Sequence, residues 1–384
     1  MTRDPLFIVS VLAALIAISE WLARATWLRH LGSALVVIVL TAVAANTGLI
    51  PTYSDDIAVY AGVFTYVAPL AIFLLVLQVD LRGILRAGLP MTGMFLLGAA
   101  GTVCGVLAGM WVVGGATAFG AFHHALGGMF VATYVGGSVN YNALALHYEV
   151  VKEGTLYAGA AAVDSAMTVL WMVVTVAIPR WLGGGKAKKA TDEAEPRPAR
   201  AEVSEAQEAG DTEKVGPYDV ALLTALAGVG VWISNFLGDL AGVPSVLVLT
   251  TLALGLAQVP RIQRLGGARL LGWLAVMLFL AVIGALCDLQ ALAQIGALGH
   301  HLLVFVTVIL AVHGLVVFGG GALLRLDPAF SAVASQANIG GSTSALALAR
   351  SLGREDLALP SILVGALGNA VGTYLGFLMA AWLA

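Results

Sequence analysis

Gly136-Gly137-Ser138-Val139-Asn140-Tyr141-Asn142 and Asn338-Ile339-Gly340-Gly341-Ser342-Thr343-Ser344 are two polar interruptions in a strongly apolar chain. Paired glycines break a helix, and the serine, threonine and asparagine side chains beside them can cap a helix that restarts. In hydrocarbon such a break is tolerated only where it is buried in protein or lines a watery cavity. Matched breaks in the two halves of a membrane chain point to the binding site of a secondary transporter.

The composition agrees with that setting. Of 384 residues, 60% are hydrophobic and 11% charged, against about 25% charged in a soluble domain. Mean hydropathy is +0.94, so the expected fold is an all-α polytopic membrane protein. A net charge of -3 leaves no basic footprint and argues against nucleic acid as a partner. The 46 glycines suit helices that pack closely in a membrane. Cys104 and Cys287 lie far apart in apolar segments and read as small buried hydrophobes. The apolar amino terminus reads as a retained first helix.

Apolar runs of roughly spanning length fall near 5–23, 31–50, 57–79, 88–113, 154–180, 218–238, 243–259, 269–287, 299–321 and 356–383. The glycine motifs interrupt two more, at about 117–150 and 327–353. Between 183 and 217 six basic and eight acidic residues crowd together with Pro196 and Pro198. That stretch reads as a disordered, charged cytoplasmic linker. It separates a first membrane repeat, 1–182, from a second, 218–384. Pro51 matches Pro260, Asp80-Leu81 matches Asp288-Leu289, Gly136 matches Gly340, and Asp164 matches Asn369, all at nearly equal spacing.

Basic residues then orient the chain. With both termini outside, and with each glycine segment entering and leaving on one side, Arg24, Arg29, Arg82, Arg86, Arg180 and the linker lysines are cytoplasmic. So are Arg261, Arg264, Arg269, Arg325, Arg350 and Arg354, as the positive-inside rule asks. Five crossings and one re-entrant hairpin per half make the halves inverted repeats. Discontinuous helices that cross the membrane are the other option. They would put Arg82 and Arg86 opposite Arg24 and Arg29.

Candidate substrate-binding groups are Gly136, Gly137, Ser138, Asn140 and Asn142 at the first break, and Asn338, Gly340, Gly341, Ser342, Thr343 and Ser344 at the second. Helix N-termini restarting there would favour an anion such as a carboxylate. For either motif alone, close helix packing is an equally physical reading. Asp164 stands mid-way along an apolar run, where a carboxylate costs about 3 kcal/mol on insertion scales. It is the candidate for Na+ binding or proton carriage, and Asn369 is its uncharged counterpart. Asp80 and Asp288, at segment ends, read as boundary residues first and as site candidates second. The pairs His123-His124 and His300-His301 read as interfacial, without the further ligands a metal site needs. His313 lies deeper. No serine has a convincing base and acid partner and no phosphate loop occurs, so an enzyme is not expected. Neither is a resident cofactor beyond the coupling ion.

Gly-Gly-Ser-Val-Asn-Tyr at 136–141, Ala-Asn-Ile-Gly-Gly at 337–341, Asp164 and Asn369 together resemble the multipass membrane family named domain of unknown function 819. That family looks related to sodium–glutamate symporters, cation–proton antiporters and inverted-repeat anion transporters. The resemblance implies ion-coupled transport by a core domain moving against a scaffold that forms a homodimer. One departure is Gly340-Gly341-Ser342-Thr343, where a proline is expected within the motif. The resulting expectation is a plasma-membrane secondary transporter for a small organic anion or amino acid, coupled to Na+ or H+. The alternative is a non-transporting receptor or scaffold that senses a small ligand through the same cavity; a channel is a third possibility.

Overall fold

The computed structural model describes residues 3–26, 32–51, 57–79, 81, 87–182, 215–287 and 296–384. The linker through residue 214, Asp80, Asp288, Arg29, Arg82 and Arg86 lie outside the described residues. Within them every regular element is helical. The first half contributes α1 (Pro5–Ala25), α2 (Gly32–Asn46), α3 (Ala58–Val76), α4 (Leu89–Val113), α5 (Gly115–Phe119), α6 (His123–Gly136), α7 (Ser138–His147) and α8 (Gly154–Leu182). The second contributes α9 (Pro217–Ala241), α10 (Ser245–Ala257), α11 (Pro260–Gln263), α12 (Ala268–Leu286), α13 (Gly296–Leu323), α14 (Pro328–Ile339), α15 (Gly341–Ser351) and α16 (Ala358–Leu383).

Eight of these, α1, α3, α4, α8, α9, α12, α13 and α16, are long and apolar enough to cross a membrane. The protein is a multipass membrane protein, and its apolar helices embed it. The runs near 31–50 and 243–259 yield shorter helices of 15 and 13 residues. Each is bounded by residues that stop a helix. Beyond Asn46 the chain turns at Gly48, whose φ is +82°, and Pro244 precedes α10. Inside α3, Pro69 has no N–H, and the turn before it is widened so that Ala68 N–H donates to the Val63 carbonyl five residues back.

The chain forms two compact units, and each takes stretches from both halves. The first holds Met1–Val79, Ala145–Ser165 and Glu202–Gly299; the second holds Asp80–Leu144, Ala166–Ala201 and His300–Ala384. In the first unit glycines let helices touch along their backbones. A methyl on Gly284 of α12 would strike the Ile38 carbonyl of α2, and one on Gly272 would come 2.9 Å from Leu75 of α3. Asn46 donates to both the Ala42 and the Cys287 carbonyls at 2.8 Å, tying the end of α2 to the end of α12. Asp164 belongs to this unit and is half-buried on α8.

In the second unit, α4 runs antiparallel to α13. Gly98, Gly101, Gly105 and Gly109 of α4 meet His313, Val316, Ile309 and Phe305 of α13, and a methyl on Gly105 would lie 2.7 Å from the Ile309 carbonyl oxygen. Bare backbone at a crossing of this kind supplies the dispersion that holds helices together in lipid. Cys287 is buried, whereas Cys104 is exposed on α4 and does not act as a core hydrophobe.

Candidate functional site

Both breaks are tight helical hairpins of the second unit. In the first, Gly137 separates α6 from α7 with φ 85° and ψ 179°, which a side chain would resist. Its N–H donates to the Thr133 carbonyl at 2.7 Å, closing α6. The Asn140 side chain reaches back and donates to the Gly136 carbonyl at 2.9 Å, while its own oxygen accepts from the Thr373 hydroxyl of α16. The two arms lie side by side: Leu144 of α7 packs where a methyl on Gly128 of α6 would sit, and the Phe130 and Tyr141 rings are 6.1 Å apart.

In the second hairpin Gly340, with φ -115°, separates α14 from α15, which starts at Gly341 with φ +73°. Gln336 donates to the Ser344 hydroxyl at 3.1 Å across the turn, and Ser344 donates to the Gly341 carbonyl at 3.2 Å. At the far end Arg354, just beyond α15, pairs with Asp327, which caps the start of α14 by accepting from Ala329 N–H at 2.8 Å. Straight helices of 12 and 11 residues would separate those ends by about 34 Å. The ion pair therefore requires the chain to double back.

The α16 helix collects both tips. The first hairpin lies antiparallel along its C-terminal half: Gly128 meets Gly376, Gly136 meets Gly372, and Val135 presses on Gly368. The Asn369 side-chain oxygen is 3.5 Å from the position a methyl on Gly137 would take. The second hairpin comes from the other end of α16, and Ser342 N–H and Cα sit 2.5 Å from where a methyl on Gly365 would be. Three residues of helix, about 4.5 Å of rise, separate Gly365 from Gly368. So the two turns face each other near the middle of one helix. α7 and α15, 10 and 11 residues long, both start there.

Of the sequence-predicted residues, Gly136, Asn140, Asn142, Asn338 and Ser344 are buried. Gly137, Gly340, Gly341, Ser342, Thr343 and Asn369 are half-buried, and Ser138 is exposed. Asn140 and Ser344 are hydrogen-bonded braces across the turns. The half-buried rim, with its backbone N–H groups and hydroxyls, is the face that can meet a ligand. Among the described residues no cluster of three His, Cys, Asp or Glu side chains could hold a metal ion.

A buried chain of hydrogen bonds supports the second hairpin. The Gly98 carbonyl, which can only accept, lies 3.0 Å from His313 Nδ1, so that nitrogen carries the hydrogen. Nε2 then accepts from the Ser335 hydroxyl at 2.9 Å, and Ser335 accepts from Trp171 Nε1–H at 3.0 Å. Thr175, one turn beyond Trp171 on α8, donates to Gln336 at 3.2 Å. Trp171, Thr175, Ser335 and Thr373 were not legible as site supports, being ordinary residues of apolar runs. A signal did exist for α16 as the collector. Gly365, Gly368, Gly372 and Gly376 repeat the spacing of Gly98, Gly101, Gly105 and Gly109, a small-residue stripe made for close crossing.

The chain is similar to the protein described as "Uncharacterized membrane protein YjcL" from Bacillus subtilis (strain 168). Identity is 29% over 374 residues, covering 94% of this chain and 91% of the relative. Residues 10–384 match the family described as "Protein of unknown function (DUF819)". With nearly the whole length matched, the glycine hairpins included, this chain belongs to that family.

Proposed function

We propose that this protein is a secondary active transporter of a small organic anion or amino acid, coupled to Na+ or H+. Its substrate binds where the two hairpin tips meet on α16. The observation that carries this reading is the convergence at Gly365–Asn369 of two glycine turns reaching α16 from opposite ends. Helix N-termini and hydroxyls there favour a carboxylate without a fixed countercharge. Met1–Val79 and Glu202–Gly299 in one unit, and Asp80–Leu144 and His300–Ala384 in the other, are corresponding stretches of the two halves, which supports a duplication, although Asp164 falls in the first unit and its counterpart Asn369 in the second. In this reading Asp164, on a membrane-spanning helix, holds the coupling ion, with Asn369 as its uncharged counterpart. Alternating access is a rigid-body movement of the hairpin-bearing unit. The transporter works as a homodimer in the plasma membrane, with the 183–217 linker in the cytoplasm and both termini outside.

The test is flux into proteoliposomes under imposed Na+ or proton gradients, over a broad panel of organic acids and amino acids. Gradient-driven uptake of at least one compound is expected, and Asp164→Asn is expected to abolish the dependence on the gradient. Absence of uptake or exchange across the panel, with Asp164→Asn indistinguishable from the parent, overturns the reading.

A further inference from the structure

Polar side chains around the two turns divide sharply by what they are bonded to. Asn140 is spent on Gly136 and Thr373, Gln336 on Thr175 and Ser344, and His313 on Gly98 and Ser335. Asn338 makes no such bond among the described residues. It is the penultimate residue of α14 and 0% exposed, and neither its Oδ1 nor its Nδ2 has a hydrogen-bond partner among the described residues. Its carboxamide lies over the bare Cα of Gly98, in the space that a methyl there would need, beside the carbon edge of the His313 ring. Neither neighbour offers the amide a hydrogen bond: a glycine Cα and an imidazole Cε1–H form the floor of its niche.

A carboxamide buried without partners is among the costlier things a membrane interior can contain, since no bulk water is near to compensate it. An apolar side chain of the same shape would pack there at no such cost. Both ends of the amide are unmet, and this restricts what would meet them. A cation satisfies only the oxygen, and a carboxylate satisfies only the N–H groups. The complementary partner both donates and accepts, as a hydroxyl or a second carboxamide does.

We propose that Asn338 is the specificity-determining residue of the tip site and reads a hydroxyl or carboxamide on the substrate, so that the preferred class is hydroxy acids and hydroxy- or amide-bearing amino acids. This deepens the transporter reading above and rests on it. The helix ends at the tips take the carboxylate, and Asn338 takes the neutral polar group, distinguishing such a substrate from its apolar analogue. A site built to bond a hydroxyl discriminates against the analogue lacking it, because the buried amide is then left unpaired.

The experiment uses purified full-length protein in detergent and reads thermal shift against matched pairs: lactate with propionate, L-serine with L-alanine, L-asparagine with L-2-aminobutyrate. In the parent, at least one hydroxyl- or amide-bearing member stabilises at a concentration lower by about tenfold or more than its partner. Asn338→Leu removes that preference, and its ligand-free midpoint is equal to or above the parent's, because an unpaired amide has gone. Asn338→Ala, which leaves a smaller side chain, loses the preference too and guards against a packing artefact. The proposal is overturned if no pair shows the preference or if the preference survives in both variants. It is also overturned if Asn338→Leu lowers the ligand-free midpoint while leaving the preference intact, as a permanent internal water on the amide would require. Uptake of propionate or alanine with no hydroxyl preference sinks the role of Asn338 and leaves transport standing. Asn338-dependent binding without flux does the reverse.

Discussion

Gly372 on α16 gives the sharpest test of the close seam on which both hairpins depend. A methyl at 372 would lie 2.7 Å from Asn140 Nδ2, 2.9 Å from Gly136 Cα and 3.0 Å from the Ala132 carbonyl oxygen. Two of those atoms are backbone of α6 and the third is a side chain already fixed by two hydrogen bonds, so none can step aside. Non-bonded carbon contacts prefer about 3.5–4.0 Å, so α6 and α16 must part by roughly 0.5–1 Å, which forfeits a quarter to a half of each contact along the seam. Overpacking of this kind costs about 1–3 kcal/mol, and replacing a helical glycine with alanine returns up to about 1 kcal/mol. The net expectation for Gly372→Ala is a loss of about 1–2 kcal/mol, which at about 1–2 °C per kcal/mol for a chain of 384 residues lowers the midpoint by roughly 1–4 °C. Gly228→Ala on α9 is the control, since its methyl would meet nothing within 4 Å. There only the helix-propensity gain acts, and the midpoint stays level or rises by a degree or two. Both are read by thermal unfolding of detergent-solubilised protein. If Gly372→Ala is as stable as Gly228→Ala, the two helices do not approach backbone to backbone and the placement of the tips fails with them.

Two further outcomes follow from the hairpins. Asn140→Ala removes the brace between Gly136 and Thr373 and leaves buried polar groups unpaired, so it lowers the midpoint by an amount corresponding to about 2–3 kcal/mol; an unchanged midpoint would assign Asn140 to ligand rather than to the turn. Arg354→Ala releases Asp327 and Asp356 at the open end of the second hairpin, an exposed cluster worth no more than about 1 kcal/mol, measurable as faster amide exchange at the start of α14 and the end of α15. Hydrogen bonds from Arg354 hold the Asp356 carboxyl below its ordinary value of 3.8. Its contribution is therefore complete above that pH and disappears as pH falls below it, so Arg354→Ala and the parent should converge in acid.

What the sequence disclosed and what it withheld differ in physical kind. The glycine pairs at 136 and 340 were visible because serine, threonine and asparagine accompany them in an apolar chain; glycine pairs alone do not end a helix here, since Gly127-Gly128 lies within α6 and Gly319-Gly320 within α13. The direction of the turns was weaker in the sequence, resting on where Arg82 and Arg86 would fall. The structure argues it from different residues, Arg354 with Asp327 and Leu144 with Gly128, pairs formed by doubling back and thus invisible to any local pattern. The same holds within the site. Asn140 and Asn338 are one residue type at comparable distance from a glycine pair, and composition gives them the same role. Tertiary context separates them: Thr373, contributed by α16 at a separation of 233 residues, satisfies the first, while Gly98 of α4 gives the second a wall with nothing to bond. A polar residue beside a break is therefore two-valued until its neighbours are known. A satisfied amide fixes the turn, whereas an unsatisfied one is open to the substrate role proposed for Asn338.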